Sequence, residues 1–287
     1  MTTIKNYLSL VKFAHTIFAM PFAMIGFFLA VLKTGHGFSW VTFVLVIACM
    51  VFARSAAMAF NRWLDANFDA LNPRTAIREI PAGIISKNSA LWFVIGCSVL
   101  FVVCSGFINP LCLSLSPVAL FVVLFYSYTK RFTALCHLVL GLGLSLAPIG
   151  AYLAVTGSFA WLPVLFSFAV VFWVSGFDVI YALQDEGFDK QHQLHSMPAS
   201  FGVVKALHIS EALHVLSAAS VITAGVLGHF GVLYWIGTGV FITMLIAQHA
   251  IVKPRDLSRV NLAFMTTNGI ASVVFAVFAL SDMAFFK

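Results

Sequence analysis

The chain has 287 residues, 61% of them hydrophobic and 9% charged, with a formal net charge of +6. A soluble globular domain carries about 25% charged residues, so this composition excludes a water-soluble protein and implies a polytopic membrane protein. The basic excess is explained by membrane topology and by attraction to anionic headgroups or a phosphorylated substrate; it requires no nucleic-acid partner.

Apolar runs of about 20 residues cross a bilayer core. Nine such runs are present, at 14–32, 40–62, 90–108, 111–128, 134–155, 161–182, 207–227, 230–251 and 261–284. Asn109-Pro110 is all that divides the third run from the fourth. The predicted fold is all-α, a bundle of about nine transmembrane helices. No soluble domain or low-complexity linker interrupts it, so residues 1–287 read as a single membrane-embedded domain. The first run lacks a small-residue cleavage site and is not read as a cleaved signal peptide.

Lysine and arginine set the orientation. With a cytoplasmic N-terminus, the inside loops hold Lys5, Arg74, Arg78, Lys87, Lys130, Arg131, Lys190, Lys205, Lys253, Arg255 and Arg259, against Lys33 and Lys287 outside. Lys12, Arg54 and Arg62 lie within or at the ends of helices. The expected location is the cell inner membrane, with the N-terminus and both acidic clusters described next facing the cytoplasm.

Seven of the ten acidic residues fall in two clusters. The first closes the second span: Asn61, Asp65 and Asp69 are four apart, with Glu79 beyond them. Positions four apart drift by only about 40° around an α-helix, so these three share a face, and Arg54 lies deeper on the same stripe. A lone Arg at that depth costs roughly 3 kcal/mol or more on insertion scales, so it should face the interior and meet an anion. Asp at a helix C-terminus opposes the macrodipole, which makes a mere stop signal a poor account of Asp65 and Asp69. The loop that follows is punctuated by Asn72-Pro73 and by Pro81–Gly83. Its Arg74 and Arg78 either close over a bound anion or serve as topology charge.

The five cysteines, Cys49, Cys97, Cys104, Cys112 and Cys136, lack metal-ligand spacing and read as buried inert thiols. Tyr126-Ser-Tyr-Thr-Lys130-Arg131 closes the fourth span and brings two cations to the level of the acids.

The second cluster closes the sixth span. Asp178, Asp185 and Asp189 are spaced by seven and four and share a face, while Tyr181 and Glu186 lie to the side. Asp65 to Asp185 is 120 residues, and so is Asp69 to Asp189. That constant offset is consistent with a four-helix unit present twice, over about 8–130 and 131–251, with a ninth helix added. Five aspartates facing one cavity repel one another unless a cation sits among them. Mg²⁺ takes one or two carboxylates, waters and substrate phosphates, so a diphosphate held by Mg²⁺, Lys and Arg is the economical content. A protonated relay is the rival account of the acids. A cation-coupled carrier is the rival for the whole protein, although carrier sites usually lie near the midplane.

Together, Asn61-x3-Asp65-x3-Asp69, the loop Asn-Pro-Arg-Thr-Ala-x-Arg-x-Ile-Pro-Ala-Gly at 72–83, Tyr126-x3-Lys130 and Asp178-x2-Tyr-Ala-x2-Asp185-x3-Asp189 resemble the UbiA superfamily of intramembrane aromatic prenyltransferases. The resemblance covers essentially the whole chain, in order. It implies a bundle with a central cavity capped on the cytoplasmic side, and two Mg²⁺ ions bridging the two motifs to a polyprenyl diphosphate. By the same resemblance Asn61, Asp65, Asp69, Asp185 and Asp189 form the metal and diphosphate set, with Asp65, Asp69, Asp178, Asp185 and Asp189 catalytic. Lys130 would contact the diphosphate, with Arg131, Arg74, Arg78, Tyr126 and Tyr181 as further substrate-binding candidates, and Asp178 would assist the acceptor or ionisation step.

Arg54 favours an acceptor bearing a carboxylate, since a buried guanidinium pairs such a group bidentately. Its position also resembles the 4-hydroxybenzoate branch, of ubiquinone biosynthesis. The opening Lys12-Phe-Ala-His15-Thr-Ile-Phe-Ala-Met-Pro21 instead resembles a subgroup that prenylates a dihydroxynaphthoate, 1,4-dihydroxy-6-naphthoate, for menaquinone. Both acceptors carry a carboxylate and a phenol, so Arg54 does not separate them. His15 either faces the cavity or is a packed polar residue. Prenyl chain length and oligomeric state leave no mark in the sequence.

Overall fold

The computed structural model describes residues 2–11 and 18–285; Lys12 and His15 lie outside the described residues. Among these residues there is no strand element, and a lone bridge joins Lys253 to Asp256. The helices are α1 Thr2–Leu10, α2 Met20–Lys33, α3 Trp40–Leu64, α4 Ala66–Leu71, α5 Lys87–Ile108, α6 Pro110–Thr129, α7 Cys136–Thr156 and α8 Trp161–Ala182. They continue with α9 Glu186–Gln191, α10 Met197–Phe201, α11 Val203–Leu227, α12 Val232–Ile251, α13 Val260–Leu262 and α14 Asn268–Phe285. A 3₁₀ turn, Leu183–Asp185, links α8 to α9, and a π-helical turn over Ala263–Thr267 makes α13 and α14 one continuous span.

Eight of these stretches are long and apolar enough to cross a membrane, and the 14-residue α2 is a shorter apolar helix besides. Every run read from the sequence has its helix. This is an integral, multi-pass membrane protein. Helices are the expected solution, because lipid offers the backbone no hydrogen-bond partner. The division at Asn109 is physical: its side chain accepts from Cys112 N–H at 2.8 Å, and Pro110 opens α6 where no N–H is needed. Helix α7 ends at Gly157 in the left-handed region, φ 64°. The amphipathic α1 was not anticipated. It buries Leu10 and sets Tyr7 against Phe93, ring centroids 4.8 Å apart, while Ile4 and Leu8 stay exposed.

The chain divides into two compact units, Met1–Thr16 with Trp40–Tyr128 and Ile17–Ser39 with Thr129–Lys287. In the first unit α3 packs on α5 around Leu10, Ala59, Ile85, Ala90 and Val94. Outward-facing Trp92, Phe107 and Phe121 are exposed, as lipid-contacting side chains should be.

In the second unit α2, α7, α8, α11, α12 and α14 enclose Phe22, Trp173, Phe241 and Phe275. Small residues permit close approach. A Cβ at Gly26 would lie 2.0 Å from the Pro148 carbonyl oxygen, and one at Gly141 would lie 2.4 Å from that of Val171. Helices α2, α7 and α8 therefore touch backbone to backbone. Hydroxyls stitch the same seams: Ser210 donates to Gly176 O at 2.7 Å and Ser217 to Ala169 O at 2.8 Å. Such interhelical bonds average about 0.6 kcal/mol in membranes, so packing carries more of the stability than they do. Asp282, buried and outside both acidic clusters, has a structural role. Its carboxylate accepts from Gly231 N–H at 2.7 Å and Tyr234 N–H at 3.2 Å, capping α12 from α14.

Candidate active site

In the first unit the acidic motif straddles a helix break. Helix α3 stops at Leu64, Asp65 takes φ −90° and ψ 5°, and α4 starts at Ala66. The expectation of one unbroken helix is corrected here. Helical register nonetheless survives, because Asp65 N–H bonds Asn61 O at 2.9 Å and Asp69 N–H bonds Asp65 O at 2.8 Å. The break also answers the dipole objection, since Asp69 falls in the first turn of a new helix rather than at the end of the old one.

Asn61 donates its Nδ2 to Asp65 Oδ2 at 3.1 Å. Asp69 is buried; its Oδ1 takes Arg78 Nη1 at 2.6 Å, and its Oδ2 is buried with no hydrogen-bond partner. Thr75 Oγ1 donates to the Asp69 carbonyl at 3.0 Å, which folds the loop back onto the motif. Arg62 is buried in the field of Arg78, Asp69 and Glu79, and Ser9 of α1 donates to Glu79. Arg74 is half-buried, with its backbone N–H bonded to Asn72 Oδ1 at 3.0 Å. Of the two loop arginines, Arg78 is the one that pairs with Asp69.

Arg54 stands apart within this unit. Its Nε is buried without a hydrogen-bond partner, and among the described residues it has no ion pair. Half-buried Tyr126 is its electrostatic neighbour. The sequence placed Arg54 on the stripe of Asn61; the structure leaves its charge unmatched.

The second unit repeats the device. Helix α8 gives way to the 3₁₀ turn, Asp185 takes φ −105° and ψ 4°, and α9 follows. Asp189 is fully buried; Lys130 Nζ lies 2.8 Å from its Oδ1 and Ser196 Oγ donates to its Oδ2 at 2.7 Å. Burial works against the Lys130 ammonium, but Asp189, and then Asp185, outweigh it and raise its pKa above the ordinary lysine value. Arg131 is half-buried beside it in the chain. Asp178 Oδ2 meets His137 Nδ1 at 2.7 Å. Tyr181 lies over Phe264, ring centroids 4.3 Å apart. Glu186 pairs with Lys190 at 2.6 Å, an i,i+4 surface pair apart from the motif.

Sequence reasoning missed His137, Ser196, Arg62 and Thr75. Ser196 carried a usable signal, since Ser before Met197-Pro198 is a helix-start pattern, and it does cap Ala199 N–H at 3.3 Å. His137 carried none: a lone His at the head of an apolar run has no spacing to read. All five cysteines are free; Cys97 and Cys136 are buried, the others half-buried.

The donors suit a hard divalent cation. Each motif offers carboxylate oxygens four residues apart, and Asp69 Oδ2 is a buried acceptor with nothing to accept from. Among the described residues no three His, Cys, Asp or Glu side chains converge as a closed metal cluster. Mg²⁺ takes one or two carboxylates and completes its shell with water and phosphate. Asn61, Asp65 and Asp69 in the first unit, and Asp185 and Asp189 in the second, carry the hard oxygen donors such an ion takes.

A family model described as the UbiA prenyltransferase family matches residues 19–270. A 4-hydroxybenzoate octaprenyltransferase of Nitrosospira multiformis is 30% identical over 226 residues, 79% of this chain and 78% of that protein. The protein of the same description from Nitrosomonas europaea is 31% identical over 243 residues, 84% and 82% of the two chains. Among solved structures, a UbiA homolog from Aeropyrum pernix aligns with TM-score 0.80 and 30% identity, covering 94% of this chain and 97% of that one. A UbiA homolog from Archaeoglobus fulgidus bound to DMAPP and Mg²⁺ shares the fold, with TM-score 0.76 at 19% identity over 98% and 100% of the two chains.

Proposed function

The chain belongs to the UbiA prenyltransferase family, and from that premise we propose that it moves a polyprenyl group from a polyprenyl diphosphate to 4-hydroxybenzoate, in quinone biosynthesis. The observation that carries the acceptor is Arg54. A guanidinium inside a span, with its Nε buried and unpartnered, calls for an anion, and a benzoate carboxylate supplies one with matching bidentate geometry. The similar proteins described as 4-hydroxybenzoate octaprenyltransferases support the same acceptor.

In this reading Asn61, Asp65 and Asp69 with Asp185 and Asp189 would hold two Mg²⁺ ions. Mg²⁺, when bound, neutralises charge on the diphosphate leaving group. Lys130, Arg131, Arg74 and Arg78 bind the diphosphate oxygens, with Arg78 and Lys130 turning from their aspartates towards the phosphates. The allylic C–O bond breaks and its electron pair leaves with the diphosphate. Exclusion of water by the surrounding helices keeps the allylic cation from hydrolysis. Tyr126 and Tyr181 present ring faces to the prenyl chain and cation. The phenol ring, oriented by Arg54 at its carboxylate and by Asp178 at its hydroxyl, attacks through carbon, and a ring proton is then lost.

The positive-inside asymmetry supports an inner-membrane location with the N-terminus and both motifs on the cytoplasmic face. Dihydroxynaphthoate also carries a carboxylate and a phenol and fits Arg54 equally, so the test must offer both. Membranes holding the chain are given labelled prenyl diphosphate with each acid separately, with and without Mg²⁺. Mg²⁺-dependent transfer to 4-hydroxybenzoate is expected. Transfer to dihydroxynaphthoate alone would overturn the acceptor, and transfer to neither would overturn the reading.

A further inference from the structure

Asp178 is held by a residue that no motif includes. His137, the second residue of α7, is closed off, its side chain 4% exposed against 24% for Asp178. Both ring nitrogens are committed. Nε2 lies 3.2 Å from the backbone N–H of Met197, and an amide N–H can only donate, so Nε2 is the bare nitrogen. The proton of the neutral ring therefore sits on Nδ1 and points at Asp178 Oδ2, 2.7 Å away. Asp178 makes no other hydrogen bond among the described residues, which leaves Oδ1 as its unengaged oxygen.

The main chain is fixed at the same place. Ser175, three residues before Asp178 on α8, shares its one hydroxyl proton between the Val171 carbonyl of its own helix at 2.6 Å and the His137 carbonyl at 3.0 Å. Helix α8 thus holds His137 by its ring through Asp178, with the Ser175 hydroxyl also within reach of its carbonyl. One turn further along, a Cβ on Gly141 would lie 2.4 Å from both the Ser175 hydroxyl and the Val171 carbonyl, so nothing separates α7 from α8 here. The segment that supplies Met197 N–H also supplies Ser196 to Asp189 and His195 N–H to the Lys130 carbonyl at 2.7 Å.

We propose that His137 is a positioning residue that fixes the Asp178 carboxylate by one oxygen and aims the other at the phenol of the acceptor. This rests on the reading of Asp178 given above. His137 itself is too enclosed to touch substrate, so its effect passes entirely through Asp178.

Two conservative substitutions separate this role from simple packing. The side-chain amide of Asn overlays the Nδ1 position, so His137→Asn keeps a donor for Asp178 and loses the Met197 bond. In His137→Gln the amide reaches the Nε2 position, which keeps the Met197 bond and loses the Asp178 one. Each variant, with His137→Ala, Asp178→Asn and the double change His137→Ala/Asp178→Asn, is assayed in membranes for acceptor kcat/KM and for the KM of prenyl diphosphate. The expectation is that Asn stays within about threefold of wild type while Gln and Ala lose on the order of tenfold or more, comparable with other losses of an orienting partner. The prenyl diphosphate KM should not move. The double variant should be no slower than Asp178→Asn alone, because there is nothing left to orient. Rescue by Gln and not by Asn, or a His137→Ala loss that adds in full to that of Asp178→Asn, would overturn the proposal. If Asp178→Asn itself keeps wild-type activity, the reading of Asp178 falls and the positioning role falls with it.

Discussion

Asp65 and Asp185 hold the same backbone position in their respective units. Each immediately precedes a six-residue helix, Asp65 directly after α3 and Asp185 as the last residue of the 3₁₀ turn that follows α8, with φ and ψ of −90° and 5° for one and −105° and 4° for the other. Each is followed four residues later by a buried aspartate paired with a cation, Asp69 with Arg78 and Asp189 with Lys130. Two chain segments 120 residues apart thus share one local backbone arrangement.

The first prediction follows from that equivalence. Asp65→Asn and Asp185→Asn keep side-chain volume and remove one carboxylate charge at matching positions. Each should lower Mg²⁺-dependent turnover by at least about a hundredfold, the scale of losing a group that stabilises developing charge. Chelation by EDTA should silence the wild type, and added Mg²⁺ should restore it. Wild-type turnover in either variant, or turnover indifferent to EDTA, would remove the metal role from these residues.

Asp69 gives a prediction about stability as well as turnover. Its carboxylate pairs with Arg78 and offsets, through space, the repulsion between Arg78 and the buried Arg62. Asp69→Ala leaves Arg78 unpaired and the repulsion between Arg62 and Arg78 uncompensated. Breaking a buried pair in this way costs roughly 3 kcal/mol or more. Detergent-solubilised Asp69→Ala should therefore melt well below wild type, and Asp69→Ala/Arg78→Met should recover part of the loss. Equal melting temperatures for Asp69→Ala and wild type would show that the pair is solvent-screened and without consequence.

The all-helical fold and the two acidic motifs that mark the candidate site were legible in the sequence, for different physical reasons. Spans declare themselves because lipid tolerates few charges, so runs of apolar residues and the Asn109-Pro110 break are readable one residue at a time. The two Asp motifs declare themselves for the opposite reason, as charges where charge is costly. What stayed hidden was set by partners distant in sequence. The break at Asp65 carries no Gly or Pro. Arg62 and Thr75 gain their meaning from Asp69 once the loop folds back, and His137 from a backbone N–H sixty residues away. Tertiary hydrogen bonds leave no period in a sequence.

Arg54 predicts a specific kinetic signature. Hydrogen bonds to a charged group contribute roughly 1.5–3 kcal/mol, about 10- to 150-fold in an equilibrium or rate ratio. Arg54→Ala should lose that much in acceptor kcat/KM with the prenyl diphosphate KM unchanged. The variant should also discriminate less between 4-hydroxybenzoate and the same phenol lacking its carboxylate. Arg54→Lys should recover little, because a point charge cannot pair both carboxylate oxygens as the planar fork does. Unchanged acceptor kinetics in Arg54→Ala would return Arg54 to a structural role.

Lys130 and Asp189 yield the last prediction, in which pH enters. Asp189 is sealed from solvent, and its two oxygens are held by Lys130 and Ser196. Lys130→Met should strand that carboxylate at a cost of roughly 3 kcal/mol, with loss of diphosphate affinity alongside. The raised pKa of Lys130 fixes the direction of the pH effect. A cation whose folded pKa lies above its unfolded value stabilises the fold fully below the unfolded value, about 10.4 for lysine, and the contribution fades as pH climbs towards the folded one. Between pH 6 and 9 the pair should therefore contribute a constant amount, and melting curves of wild type and Lys130→Met should run parallel there. Above that range the two curves should converge, since wild type loses a charge that the variant never had. A gap between them that is constant into strongly alkaline buffer would mean that the ammonium of Lys130 contributes nothing through its charge.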